Sequence, residues 1–155
     1  RIKDFTTHLF AGDRFDGYLL AEAPFSTDAT YTIDGHVNPE FVGEEQMMLP
    51  DYREGLVVWK RFRPICYEII KGRKVPQQFR IIMKLPEALM DTLLSSRDLT
   101  GMTEKVSGLF LNITFRNNQL SCTTGIALKE FSMDKSLEHL WDAYAAELLK
   151  EYVEG

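Results

Sequence analysis

Leu109-Phe110-Leu111-Asn112-Ile113-Thr114-Phe115, then Arg116-Asn117-Asn118-Gln119, then Leu120-Ser121-Cys122-Thr123-Thr124-Gly125-Ile126-Ala127: two strand-forming runs flank a short polar link. Asn tolerates positive φ, so Asn117-Asn118 predicts a two-residue primed turn. That turn fixes the register. Phe115 falls opposite Leu120, Ile113 opposite Cys122, Leu111 opposite Thr124 and Leu109 opposite Ile126, all on one face. The other face pairs Thr114 with Ser121, Asn112 with Thr123 and Phe110 with Gly125. One side is apolar and the other mostly polar, the pattern of an antiparallel sheet covered on one face.

The cover comes from downstream. Leu137, Leu140, Trp141, Tyr144, Leu148 and Tyr152 recur at intervals of three and four, predicting a helix of about five turns. It starts near Ser132 or Asp134, and its apolar face lies over Leu109, Leu111, Ile113 and Phe115. Upstream, Pro86 opens a shorter central helix whose stripe is Leu89, Met90, Leu93 and Leu94, ended by Ser95-Ser96-Arg97-Asp98. Before it, Phe79, Ile81, Met83 and Leu85 alternate as a strand. Residues 56–71 read as strand too, with Ile65, Tyr67 and Ile69 on one side and Pro64 marking a bulge, bend or edge. Lys71-Gly72-Arg73-Lys74 then becomes the basic tip of a hairpin.

Nearer the N-terminus, Ile2, Phe5, Leu9 and Phe10 predict a short helix ended by Gly12, and residues 17–25 and 29–33 two paired strands. Asp34-Gly35 is a turn signal, and Asn38-Pro39 opens a short helix or irregular excursion over 39–49. The fold expected is α+β: a single antiparallel sheet built from hairpins, one face covered by the C-terminal helix and the shorter central helix. Residues 1–155 read as one domain with no internal repeat.

Composition bounds the function. The chain has 155 residues, 45% of them hydrophobic and 26% charged, enough to bury a sizeable core. No apolar run approaches the length of a membrane span, and no signal-peptide core follows Arg1, so the expected location is cytoplasmic. Cys66 and Cys122 lack metal-ligand spacing and sit among apolar neighbours, which predicts two buried small hydrophobes in strands. Charge is uneven: residues 1–52 hold three Lys/Arg against ten Asp/Glu, and residues 53–84 hold nine against two. One basic zone results, unless the acidic first block packs beside it.

Two candidate sites follow. Lys71, Arg73, Lys74 and Arg80, with Trp59, Phe62, Tyr67 and Phe79 interleaved, combine cations and rings as polyanion-binding surfaces do, so the basic hairpin is a candidate contact for nucleic acid or a protein partner. Asp34 and His36 place a carboxylate and an imidazole two positions apart, able to share a proton or, with Asn112 or Thr123, to build a small enzyme's site. No third ligand stands at fixed spacing, so no metal centre is expected there, and no phosphate-binding or nucleophile motif occurs. No cofactor is implied. The reading preferred is a non-catalytic binding or regulatory module, with a small enzyme or a nucleic-acid-associated protein as alternatives.

Phe15-Asp16-Gly17-Tyr18-Leu19-Leu20, Tyr31-Thr32-Ile33-Asp34-Gly35-His36, and Leu109-Phe110-Leu111-Asn112 with Cys122-Thr123-Thr124-Gly125 carry a resemblance. The chain resembles a family of small bacterial proteins, frequent in Clostridia-like Firmicutes, grouped as a domain of unknown function. The resemblance implies a cytoplasmic bacterial protein and transfers no site residue, cofactor or activity.

Overall fold

The computed structural model describes residues 2–72, 74–130 and 134–152. Its strands are β1 (Leu19–Ser26), β2 (Thr30–Asp34), β3 (Val57–Val58), β4 (Gln78–Lys84), β5 (Val106–Arg116) and β6 (Gln119–Leu128). Its helices are α1 (Ile2–Phe10), α2 (Pro39–Val42), α3 (Glu44–Met47), α4 (Trp59–Ile70), α5 (Glu87–Ser96) and α6 (Ser136–Leu149). All described strand pairs are antiparallel, in the order β2-β1-β4-β5-β6, with β3 also on β1.

The β5–β6 hairpin has the expected register at every pair from Leu109↔Ile126 to Phe115↔Leu120. Its turn rests on Asn117 and Asn118 at φ 52° and 59°, both left-handed as a primed turn demands. Leu109, Leu111, Ile113 and Phe115 are buried, with Phe79, Ile81, Met83 and Leu85 beside them. Over this face Leu137, Trp141 and Ala145 of α6 and Met90, Leu93 and Leu94 of α5 join one core. The Trp141 indole N–H donates to the Phe110 carbonyl at 2.9 Å, which satisfies the ring's polar atom in the core. Leu89, expected in the α5 stripe, points to solvent.

The cover is wider than two helices. Phe5, Leu9 and Phe10 of α1 and Trp59 and Cys66 of α4 enter the same core. Phe10 meets Phe79 edge-on at 5.5 Å, and Phe79 stacks on Phe115 at 5.3 Å, so a row of rings crosses β4 and β5 beneath α1.

Residues 59–70 overturn the strand expected there. Trp59, Phe62, Cys66, Ile69 and Ile70 recur at helical spacing and turn one face of α4 inward, whereas Ile65 and Tyr67, the supposed inner positions of a strand, are about half exposed. The block fits both periods at once, and the 3.6-residue period wins because it buries the indole. Pro64 lies inside α4, where it denies the Lys60 carbonyl its usual donor. The basic hairpin therefore does not exist; a helix and a loop lead into β4. Cys66 is the buried hydrophobe expected, but on a helix.

Asp34-Gly35 is also not a turn. The Gly35 N–H donates to the Ala21 carbonyl at 2.8 Å, the Val57 N–H donates to the Gly35 carbonyl at 2.9 Å, and His36 bridges Leu56. The chain runs straight on, and Gly35 is needed because a Cβ there would strike the backbone of Leu20. Residues 39–49 form α2 and α3, with Asn38 at the N-cap and Pro39 in the first turn, as expected. α6 begins at Ser136; Ser132, one expected start, lies outside the described residues.

Candidate functional site

Opposite the core, Glu22, Arg80, Ile82, Asn112, Thr114, Ser121 and Thr123 occupy the sheet's polar face. Asp34, Glu22, Ile82, Asn112 and Thr123 lie on one row of cross-strand partners. Asp34 is therefore three strand spacings from Asn112 and four from Thr123, about 14 and 19 Å. The residues share a face but do not converge. Asp34 and His36 keep to themselves: the Asp34 Oδ1 accepts the His36 backbone N–H at 3.0 Å and lies 2.6 Å from its Nδ1. The backbone donor first, and the ring second, hold the Asp34 carboxyl below the ordinary carboxylate range. Both side chains are about three-quarters exposed. Among the described residues, no group of three His, Cys, Asp or Glu stands close enough to hold a metal.

The predicted basic residues stand on different elements. Lys71 ends α4 and pairs with Glu68 at 2.7 Å, which raises its pKa; Lys74 is exposed in the following loop; Arg80 stands mid-sheet and pairs with Glu22 at 3.3 Å. Arg73 lies outside the described residues. Arg63 makes a two-pronged pair with Asp16, at 2.9 and 3.2 Å, and Lys84 reaches Glu54 at 3.1 Å. Glu22 and Asp16 belong to the acidic first block, so that block does pack against the basic one and neutralises part of it. Of the interleaved rings, Trp59 and Phe79 are in the core.

A cleft of about 560 Å³ lies elsewhere, between β6 and α6. One wall is Leu120 to Thr124 of β6. The other is Asp142, Ala145, Ala146 and Leu149 of α6, and Phe5 and Tyr152 close one end. Five consecutive strand residues alternate between two faces, so a cleft that touches all five runs along the strand's free edge. Ala145 and Ala146 leave room that larger side chains would fill. Asp142, the one charged residue among the described lining residues, accepts a hydrogen bond from the Thr124 hydroxyl. Burial pushes the Cys122 thiol up to about 12, so it stays protonated and unreactive at neutral pH. Tyr152 is anchored by His8 and Arg14 at its hydroxyl and by Phe5 edge-on at 5.0 Å.

Of the cleft residues, the sequence points to Thr123 alone as a site residue, and there as a companion of Asp34 and His36. The available signal was the lack of any charge from Gln119 to Leu128, beside an Ala-Ala pair on the following helix.

No curated protein and no solved structure matches the chain. The model of a family described only as a family of unknown function matches nearly its full length, including the stretches that carried the resemblance. The chain belongs to that family, DUF5721, over residues 8–153.

Proposed function

We propose that the protein is a non-catalytic, cytoplasmic binding module whose ligand occupies the cleft between β6 and α6. The cleft carries this reading. Its volume falls within the range of ligand sites, its lining is mainly apolar, and its few polar groups, Asp142, Thr124 and the strand edge, stand where they can orient a ligand. A protonated thiol and a single carboxylate supply binding groups rather than an acid–base pair. The enzyme alternative is less supported, because Asp34 and His36 are exposed and distant from Asn112 and Thr123. The polyanion alternative is weakened by the pairing of Lys71 and Arg80 with carboxylates.

Nile red, an uncharged dye that brightens in apolar surroundings, tests the reading. It binds the wild type and fails to bind Ala146→Trp, in which the indole fills the cleft from an exposed helix position. Equal binding by both proteins, with unchanged circular dichroism, places the site elsewhere and overturns the proposal.

A further inference from the structure

β6 is an edge of the sheet, ten residues long, and from Gln119 to Leu128 it has neither a charged residue nor a proline. Exposed edges are ordinarily protected by charge, proline, shortness or cover, because their free N–H and C=O groups recruit other strands. The opposite edge, β2, follows that rule: it has five residues and ends in Asp34. β6 does not.

The register says which groups are free. A two-residue turn makes Arg116 and Gln119 a hydrogen-bonded pair, after which bonded and non-bonded pairs alternate. Phe115↔Leu120, Ile113↔Cys122, Leu111↔Thr124 and Leu109↔Ile126 are the non-bonded pairs. The Leu109 carbonyl accordingly accepts from Leu85 on the β4 side, at 2.9 Å. The N–H and C=O groups of Leu120, Cys122 and Thr124 therefore face the cleft. An edge that presents main-chain donors and acceptors beside an apolar groove under a helix is what strand addition requires.

We infer that the cleft binds an extended peptide of a partner protein, added to β6 as a further strand, with alternate apolar side chains entering the groove and a Lys or Arg meeting Asp142. This rests on the cleft being the binding site and names its ligand. Charge selects the partner over a second copy. Antiparallel pairing of two β6 edges about a two-fold axis would bring the two α6 helices together, each presenting the Asp142 carboxylate of the cleft wall, and like charges so placed repel; Glu138, one turn away, is already paired with Lys135 at 3.4 Å. A basic segment is attracted by the same carboxylate.

The test selects phage-displayed random heptapeptides on the immobilised full chain, then measures the synthetic winners by fluorescence anisotropy. The expected winners alternate apolar residues at every second position and carry one Lys or Arg; selection on Asp142→Lys enriches Asp or Glu there instead. N-methylation of a winner's amides on the side facing β6 weakens binding about tenfold per amide, whereas methylation of the outward amides leaves it unchanged. This control leaves the protein untouched, so misfolding cannot imitate it. Cys122→Pro, which removes an edge N–H without touching the β5 ladder, also abolishes peptide binding. No enrichment, helical periodicity or indifference to N-methylation overturns the inference, as does self-association that Cys122→Pro abolishes. If Nile red binding is still blocked by Ala146→Trp in that event, the cleft remains the site and only the peptide is wrong; if dye binding is also unaffected, both readings fall.

Discussion

Gly35→Ala isolates one backbone contact on which the edge of the sheet depends. Gly35 is buried, and a Cβ built there overlaps the Leu20 carbonyl oxygen, lies 2.6 Å from the Leu20 carbonyl carbon and 3.1 Å from the Ala21 oxygen. All three atoms are backbone, so no side chain can swing away. Relief requires the strands to part by about an ångström, beyond hydrogen-bond range for contacts that start near 2.8 Å. The bonds at risk are Gly35 N–H to Ala21 and Val57 N–H to Gly35. Two backbone bonds at about 1 kcal/mol each, with about 1 to 3 kcal/mol of overpacking and about 1 kcal/mol returned through the unfolded chain, give a loss of about 2 to 4 kcal/mol. For a domain of this size that lowers the melting temperature by about 4 to 16 °C. Urea titration followed by fluorescence reads it directly, because Trp59 and Trp141 are both fully buried. Gly35→Asn serves as the control. Asn tolerates left-handed turns, so if Gly35 served a turn, Asn would rescue most of the loss. A steric cause predicts that Asn is as harmful as Ala. An Ala variant within about 0.5 kcal/mol of wild type, or a marked advantage of Asn over Ala, refutes the reasoning.

Trp141→Ala removes a fully buried indole and lowers stability by about 3 to 5 kcal/mol in the same titration, and an unchanged midpoint would contradict its burial. Asp16→Ala leaves Arg63 without its carboxylate, holding only the Phe10 carbonyl at 3.5 Å, at a site where both side chains are less than a fifth exposed, and is expected to lose about 2 to 4 kcal/mol; an unchanged stability would show that water reaches the guanidinium freely. Burial raises the Cys66 and Cys122 thiols from 9.0 to about 12, so both favour the folded state while protonated. That contribution is complete below pH 9 and is lost as pH climbs towards about 12, so a Cys66→Ala, Cys122→Ala double variant shows a shallower alkaline decline in stability than wild type; parallel declines refute it.

The elements legible in the sequence are those whose local pattern has one solution. Asn117-Asn118 admits a tight primed turn, and from it the β5–β6 register follows without tertiary information. Residues 59–70 are the contrary case, because Ile65, Tyr67 and Ile69 satisfy a strand while Trp59, Phe62, Cys66 and Ile69 satisfy a helix. Only the burial of Trp59, whose indole N–H donates to the Leu9 carbonyl at 3.1 Å, decides between them, and Leu9 lies fifty positions away. Gly35 misled for a related reason: Asp-Gly is a local turn signal, whereas the need for glycine came from Leu20 on a neighbouring strand.

The cleft was illegible because a strand's place in a sheet is not a local property. Gln119 to Leu128 reads as an ordinary half-buried strand, and the lack of charge there would be unremarked in the middle of a sheet. It gains meaning once β6 proves to be the last strand, with no neighbour beyond it in the described sheet. The acidic side of α6 changes meaning in the same way. Read along the helix, Asp142 is part of the solvated face of an amphipathic segment; placed beside an uncharged edge, it opposes pairing between copies while favouring a basic strand. A charge within β6 would have protected the edge against every strand alike. Charge on the adjacent helix discriminates among them, which is why an uncharged edge and the single Asp142 carboxylate in the groove are more informative together than either is alone.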